Sequence, residues 1–306
     1  MKEGGPMISF VITTYNSEKT IERAINSILE QKTNLEYEII VVDDGSNDDT
    51  KVVLAKYYDK IKYYYKENEG VAIARNFGVE NAKGEYIIFI DSDDYIKNTL
   101  LQDIETYILQ KIDLIKWNPL FVYENKKESL EETISVEFDK ATGEDGFNLL
   151  FGKDNLIDCL WRYAIKKELI PKFPEEKYHE DFATIPFIIL KAKSFVSINK
   201  FEYYYVQSEN SIMRNSDVKK TRKKLQDKLF HFDNIVKNVD ALNLKETTKE
   251  NVKIWATNSI LVGINKLEDD NKKYLNNELK KRNISKYIKI RNLKQLLKKI
   301  YLKIKY

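Results

Sequence analysis

The sequence predicts a mostly parallel, doubly wound α/β sheet followed by a helical extension, and three observations carry that prediction. Short runs that are almost wholly apolar recur through the first hundred residues, ISFVIT at 8–13, EIIVV at 38–42 and YIIFI at 86–90, as expected of strands covered on both faces. Between them lie segments whose apolar residues repeat with helical spacing, and right-handed crossovers of this kind build a doubly wound layer. After about residue 216 the strand signal gives way to Lys- and Asn-rich helical segments that continue to the end.

The elements follow in order. The first strand, 8–13, is succeeded by Ile21, Ala24, Ile25, Ile28 and Leu29, which fall on one helical face; Asn16 or Ser17 is the expected N-cap, with Glu18 in the first turn. A strand at 38–42 precedes a helix at 49–58 with a less clean apolar face. Then come a strand at 61–65, a helix at 71–81, a strand at 86–90 and a helix at 99–110. Beyond residue 110 the pattern loosens. A strand is expected at 113–123, an exposed excursion at 124–142, helical turns at 147–151 and 182–190, and short strands at 195–198 and 201–206. No internal repeat is visible. The boundary between sheet domain and extension is placed near 215, giving 1–215 and 216–306.

Composition narrows the classes. A chain of 306 residues suits one large domain with an appendage, and 42% hydrophobic residues exclude wholesale disorder. One cysteine, Cys159, excludes an internal disulfide framework and a thiolate zinc cluster; two histidines, His179 and His231, exclude a multi-histidine metal site. No apolar run approaches the roughly 20 residues of a membrane span, and the N-terminal apolar stretch is too short for a signal peptide. The expectation is a soluble, cytoplasmic protein. Charge is uneven, however: residues 280–306 hold eleven Lys and Arg and no acid, so that of the net +3 the rest of the chain carries −8. In 284–306 the apolar residues Tyr287, Ile290, Leu293, Leu297, Ile300 or Tyr301, and Ile304 recur at spacings of three and four, which reads as a basic amphipathic helix for an anionic membrane surface, peripheral on the cytosolic face. Each Lys or Arg near such a leaflet contributes ~1 kcal/mol. Packing of that stripe on the rest of the chain or on a second subunit is the alternative.

In an open α/β sheet, ligands bind beyond the carboxyl ends of the strands. Asp43 and Asp44 directly follow EIIVV, and Asp91, Asp93 and Asp94 directly follow YIIFI, so both acidic clusters are expected to line one crevice. Concentrated negative charge there calls for an offsetting cation, and Asp91 and Asp93, two apart in extended chain, point to one side. Helix capping is the competing explanation for acids after a strand. A GxGxxG fingerprint, a P-loop and a GxSxG elbow are all absent from the sequence.

These residues resemble the family 2 inverting glycosyltransferases of the GT-A fold. The matching stretches are ISFVITTYNSEKTIERAINSILEQ (8–31), EIIVVDDGSNDDT (38–50), NEGVAIARNFGVENAKGEYIIFIDSDD (68–94) and HEDFATIPF (179–187), in order over about 180 residues. The resemblance implies a nucleotide-diphospho-sugar transferase fold with a donor-binding half at about 1–110 and an acceptor half at about 111–215. It implies that Thr13, Tyr15 and Asn16 approach the donor nucleotide, that Asp44 with Asp43 beside it meets the uracil or its ribose, and that Arg75 and Asn76 lie against the nucleoside and diphosphate. Asp91-Ser92-Asp93 matches the DxD motif, with Asp91 facing the ribose or donor sugar and Asp93 binding Mn²⁺ or Mg²⁺. Glu180-Asp181 matches the acidic pair whose Asp is the general base. Trp161 and Arg162, with Asp94, fall where an acceptor binds, and His179 stands beside the base. The 203–214 segment resembles a loop that closes over the diphosphate; Gln207 stands where a basic residue is common, which leaves Arg214 as the substitute. The implied partners are a UDP-sugar donor and a glycan or lipid-linked glycan acceptor in surface polysaccharide assembly. No nucleic acid is expected, because the body is acidic. A sugar nucleotidyltransferase would instead start with a Gly-rich, Arg-containing turn after its first strand, which TTYNSEK lacks. A non-catalytic nucleotide-sugar or nucleic-acid binding protein would not need both DSDD and HED.

Overall fold

The computed structural model describes residues 7–123, 131–132, 135–156, 158–175, 178–207, 218–262, 264 and 267–287. The chain divides into two compact units, Met1–Glu176 with Thr184–Met213, and Lys177–Ala183 with Arg214–Tyr306.

In the first unit the strand–helix alternation begins with β1 (Ile8–Thr14), α1 (Ile21–Leu29), β2 (Tyr37–Asp44), α2 (Thr50–Ala55), β3 (Lys62–Lys66), α3 (Val71–Asn81) and β4 (Tyr86–Asp91). These four strands lie in the order β3-β2-β1-β4, all parallel. The apolar runs form β1, β2 and β4 because both sheet faces are covered: Ile8, Phe10, Val11 and Ile12 are at most 1% exposed. The helical stripe of α1 is buried at Ile21, Ala24, Ile25 and Ile28. Gly78 lets α3 approach the sheet closely, since a Cβ there would lie 2.5 Å from Val11 Cγ1. Asn16 and Ser17 do not cap α1; the position is held by Thr20, which makes no side-chain cap bond.

The remaining strands are β5 (Tyr95–Ile96), β6 (Leu114–Tyr123), β7 (Glu131–Glu132), β8 (Phe138–Ala141), β9 (Tyr163–Lys166) and β10 (Phe195–Gln207), and the helices are α4 (Leu100–Leu109), α5 (Gly143–Gly152) and α6 (Glu180–Lys191). β9 runs antiparallel between β4 and β6 and extends the sheet to β10 and β5. Two expectations change here. None of β5, β7, β8 and β9 was expected, because two to four residues are too few to show a period; β7 and β8 lie in the stretch 124–142 expected as an exposed excursion, where they pair with β6 and β10. The two short strands expected at 195–198 and 201–206 form one strand, β10, whose register slips between Ser197 and Phe201 and again before Tyr203, so the polar pair Asn199-Lys200 marks an irregularity rather than an end.

The second unit is helical: α7 (Val218–Asp240), α8 (Glu246–Leu261) and α9 (Asp269–Lys281). Leu229, Phe232, Ile235, Val239, Val252, Ile260, Leu275 and Leu279 are each at most 3% exposed. Asp227 accepts from the Tyr178 N–H at 3.2 Å, and His231 Nε2 lies 3.0 Å from the Tyr178 carbonyl. No helix among the described residues is long and apolar enough to cross a membrane. Most of 284–306, including the expected amphipathic stripe beyond Tyr287, lies outside the described residues.

Candidate functional site

Because β1 lies between β2 and β4 and all three run parallel, their carboxyl ends share one edge. Thr13 stands opposite Asp91 of β4, and Thr14 opposite Asp43 of β2. Two acidic clusters nearly fifty residues apart in sequence are thus one strand apart in space, on either side of β1.

The turns at this edge are joined by short polar side chains. The Asn16 N–H donates to Ser46 Oγ at 2.9 Å, and the Asn47 N–H donates to Asn16 Oδ1 at 2.9 Å. Ser17 donates its N–H to Thr50 Oγ1 at 2.8 Å, while its hydroxyl lies 2.8 Å from that of Ser92. Asn16 holds a positive φ of 51°, which asparagine tolerates. The Asn16 side chain therefore ties the turn after β1 to the turn after β2, and the Tyr15 ring beside it is 44% exposed at the rim.

Asp43 and Asp44 have different surroundings. Asp43 is fully buried; it accepts the Ser46 N–H at 2.8 Å and the Tyr63 hydroxyl at 3.0 Å. It was expected to bind donor, but it has no surface to offer and instead shapes the β2 turn. Asp44 accepts the N–H groups of Glu69 and Gly70 at 3.0 and 2.9 Å, and burial pushes its carboxyl above the usual range despite those bonds. Gly45, between this turn and the next, has φ +82°, and a Cβ there would meet the Asn68 nitrogen at 2.7 Å.

From α3, Arg75 Nη2 donates to Asp91 Oδ1 at 3.1 Å. Asn76, expected against the nucleotide, is committed elsewhere: Nδ2 donates to the Phe173 carbonyl at 3.0 Å and Oδ1 accepts the Phe173 N–H at 2.8 Å. It pins the 170s segment to α3, and only 8% of it is exposed.

The acidic turn after β4 separates its carboxylates. The Asp91 side chain is about a third exposed, at 32%, and Asp93 is exposed. Asp94 is fully buried. It accepts the Tyr203 hydroxyl at 2.9 Å and the Val206 N–H at 2.7 Å, both from β10. Burial first, and then the charges of Asp91 and Asp93, hold its carboxyl well above the usual range. The expected acceptor contact by Asp94 is corrected accordingly: the group faces inward. Trp161 and Arg162 are corrected in the same way. Trp161 is 5% exposed, stacked on Tyr203 and Tyr205 with ring centroids 4.4 and 5.4 Å away. Arg162 is fully buried, with Nη2 3.3 Å from Asn155 Oδ1. The apolar sheet around them takes these side chains as core.

Glu180 and Asp181 open α6; Glu180 is 8% exposed and Asp181 half-buried. These first residues of the helix group with the second unit. His179 precedes them at a positive φ of 67°, and burial, reinforced by Lys228 and Lys224, pushes its imidazole down to about 3, so it is neutral at physiological pH. Arg214 lies outside the described residues.

A divalent cation can be tested against this arrangement. Among the described residues no three of His, Cys, Asp and Glu converge into a complete ligand set. Hard cations such as Mg²⁺ are commonly held by one or two carboxylates, with phosphate oxygens and water completing the shell. The two accessible acids, Asp91 and Asp93, fit that incomplete set.

A parallel sheet with these acids at its carboxyl edge is the arrangement of the GT-A nucleotide-diphospho-sugar transferase fold. The fold is shown by residues 1–349 of S. aureus TarS, solved with UDP-GlcNAc, which superimpose with a TM-score of 0.72 at 22% identity, covering 92% of this chain and 80% of that one. Residues 9–146 match the family described as glycosyl transferase family 2. Among relatives, an uncharacterized glycosyltransferase of Rickettsia typhi is 44% identical over 109 residues, 35% of this chain and 33% of that protein. A cholesterol galactosyltransferase of Borreliella burgdorferi is 29% identical over 229 residues, 69% of this chain and 63% of that protein. The chain thus spans from about a third to just under two thirds of these relatives' length.

The sequence pattern did not single out Tyr203, Ser17, Thr50 or Tyr63 as parts of this edge. The first lies in an undifferentiated YYY run; the others are ordinary turn and strand residues whose partners are at least 20 positions away.

Proposed function

We propose that this protein is a metal-dependent inverting glycosyltransferase. It moves a sugar from a UDP-linked donor to a hydroxyl of a glycan acceptor, carried on a lipid, in surface polysaccharide assembly. The observation that supports it best is the meeting of the β1, β2 and β4 carboxyl ends, with Asp44, Asp91 and Asp93 on one edge. In this reading the catalytic part is 1–215 and the helical extension 216–306. Tyr15 and Asp44 receive the nucleoside, and Arg75 holds Asp91 toward the ribose or donor sugar. Asp93 with Asp91 would hold Mn²⁺ or Mg²⁺, which supplies neutralisation of the charge that grows on the departing diphosphate. Inversion is a single displacement, so the acceptor hydroxyl must lose its proton as it attacks. Asp181 accepts that proton, with Glu180 orienting the acceptor, a contribution typical of general bases at ~10²–10⁴-fold.

The lipid-linked acceptor draws support from the cholesterol galactosyltransferase relative, whose named acceptor is itself a lipid, and from the eleven basic residues without an acid in 280–306. The test is a donor screen with Mn²⁺ and nucleotide release as readout. One UDP-sugar is turned over; Asp93→Ala abolishes this by removing metal-dependent donor binding, and Asp181→Asn keeps donor affinity but loses turnover. Normal turnover by Asp181→Asn refutes the base assignment. Liposome sedimentation with and without 284–306 tests the membrane contact, and unchanged binding on deletion removes it.

A further inference from the structure

The acidic turn is gripped from outside its own loop. The Tyr203 hydroxyl lies at the centre of that grip: it accepts the Asp91 N–H at 3.2 Å and donates to Asp94 Oδ2 at 2.9 Å. One oxygen thus joins the first and last acids of DSDD. The tyrosine is itself immobilised. It has no exposed surface, pairs with Ile96 across the β10–β5 ladder, and stacks face to face on Trp161 at 4.4 Å. The second Asp94 oxygen is taken by the Val206 N–H. On the opposite side of the turn, the Arg23 guanidinium donates to the Asp93 carbonyl and lies 4.9 Å from the Tyr95 ring, which stacks on Tyr204.

We propose that Tyr203 is a positioning residue for donor binding: through Asp94, which serves as its anchor and not as a ligand, it fixes Asp91 and Asp93 in the geometry that receives the nucleoside diphosphate. The proposal rests on the reading of Asp91 and Asp93 as the donor and cation acids. The physical argument is preorganisation. A turn carrying three carboxylates repels itself, and ligand binding would otherwise have to order it, at a cost in affinity. Placing one acid in the interior with two hydrogen bonds fixes the direction of the other two. Asp94 is then required as an acceptor of fixed shape, not as a charge on the ligand, and this separates it from Asp93.

The test measures binding of UDP with Mn²⁺ by calorimetry, and amide exchange of the peptide covering 89–96 in the free protein. Tyr203→Phe keeps the ring and its stack on Trp161 but removes the hydroxyl. It weakens UDP–Mn²⁺ binding about tenfold or more, as expected for losing a hydrogen bond to a charged group, and it speeds exchange in 89–96. Asp94→Ala does the same. Asp94→Asn keeps the shape and the bond to the Tyr203 hydroxyl but turns its NH2 against the Val206 N–H, so it weakens binding less than Asp94→Ala and also speeds exchange in 89–96, whereas Asp93→Asn, a change to the ligand itself, weakens binding strongly and leaves that exchange unchanged. If Tyr203→Phe binds UDP–Mn²⁺ as the parent does while Asp93→Asn does not, the positioning role is wrong and the donor reading stands. If Asp94→Asn weakens binding as strongly as Asp93→Asn while exchange in 89–96 stays at the parent's rate, Asp94 is a ligand and the proposal is overturned. If the parent protein does not bind UDP with Mn²⁺, or Asp93→Asn has no effect, the donor reading fails and takes this one with it.

Discussion

Lys116 offers a quantitative test of the interior. It lies on β6 with no exposed surface, and its ammonium reaches two neutral oxygens, Asn118 Oδ1 at 3.3 Å and Ser197 Oγ at 3.2 Å. Burial, with a further contribution from the Arg162 charge, pushes its pKa from 10.5 down to about 6. Between those two values the unfolded chain holds a proton that the folded chain has released. Stability therefore rises with pH across this window, by about 1.4 kcal/mol per pH unit. Below pH 6 both states are charged and the penalty is constant; above 10.5 both are neutral and it vanishes. At pH 7 the penalty is at most ~5 kcal/mol. Lys116→Met removes it, but leaves two buried oxygens without a donor at ~1 kcal/mol each, for a net gain of ~2–3 kcal/mol. Urea denaturation at pH 7 and pH 9 reads the difference. The methionine variant is the more stable at pH 7, and its advantage shrinks by roughly 2–3 kcal/mol at pH 9. An advantage that does not change with pH, or a variant less stable at pH 7, refutes the account of Lys116 as a neutral buried amine.

Two further substitutions probe the frame of the site. Asn76→Ala strands the buried Phe173 N–H and carbonyl and lowers stability by ~2–4 kcal/mol in chemical denaturation; a loss below ~0.5 kcal/mol would mean that the two bonds are replaced by solvent. Gly78→Ala drives a methyl into Val11 Cγ1 and costs ~1–3 kcal/mol. Adding Val11→Ala recovers part of that loss, so the double variant is more stable than the sum of the two single losses predicts, and strict additivity would show that the contact is not close.

The parallel half of the fold was legible because its signal is long. Continuous apolar runs at 8–13, 38–42 and 86–90 fall within β1, β2 and β4, and the five-position stripe of 21–29 gives α1 directly. The acids at the ends of β2 and β4 followed from the same periodicity, since a buried strand that stops at an aspartate places that aspartate at an edge. The orientation of each acid could not be read. Asp43 and Asp44 are adjacent in sequence and both buried, at 0 and 5% exposed, whereas of the adjacent Asp93 and Asp94 only Asp94 is buried. What decides between them is a partner far along the chain, Tyr63 for Asp43 and Tyr203 with Val206 for Asp94. The inward placement of Trp161 and Arg162 was not legible for the same reason. An indole beside a guanidinium looks like a sugar platform until the stack on Tyr203 and the burial of both groups are known. Asn76 shows the reverse problem: it was expected beside Arg75 against the nucleotide, whereas its side chain bonds a backbone segment 97 positions away.

The central placement of β1 has a consequence for how the protein comes into being. Among the described strands β1 comes earliest in the chain, and two later strands flank it, β2 on one side and β4 on the other. The Ser17–Ser92 contact spans 75 positions and the Asp91–Tyr203 contact 112. A nascent chain that has not yet reached Tyr203 cannot make the second of these, so its acidic turn is still unclamped at that stage. The clamped form of the acidic turn should therefore appear late in synthesis, after β10 has been added, and together with the finished sheet.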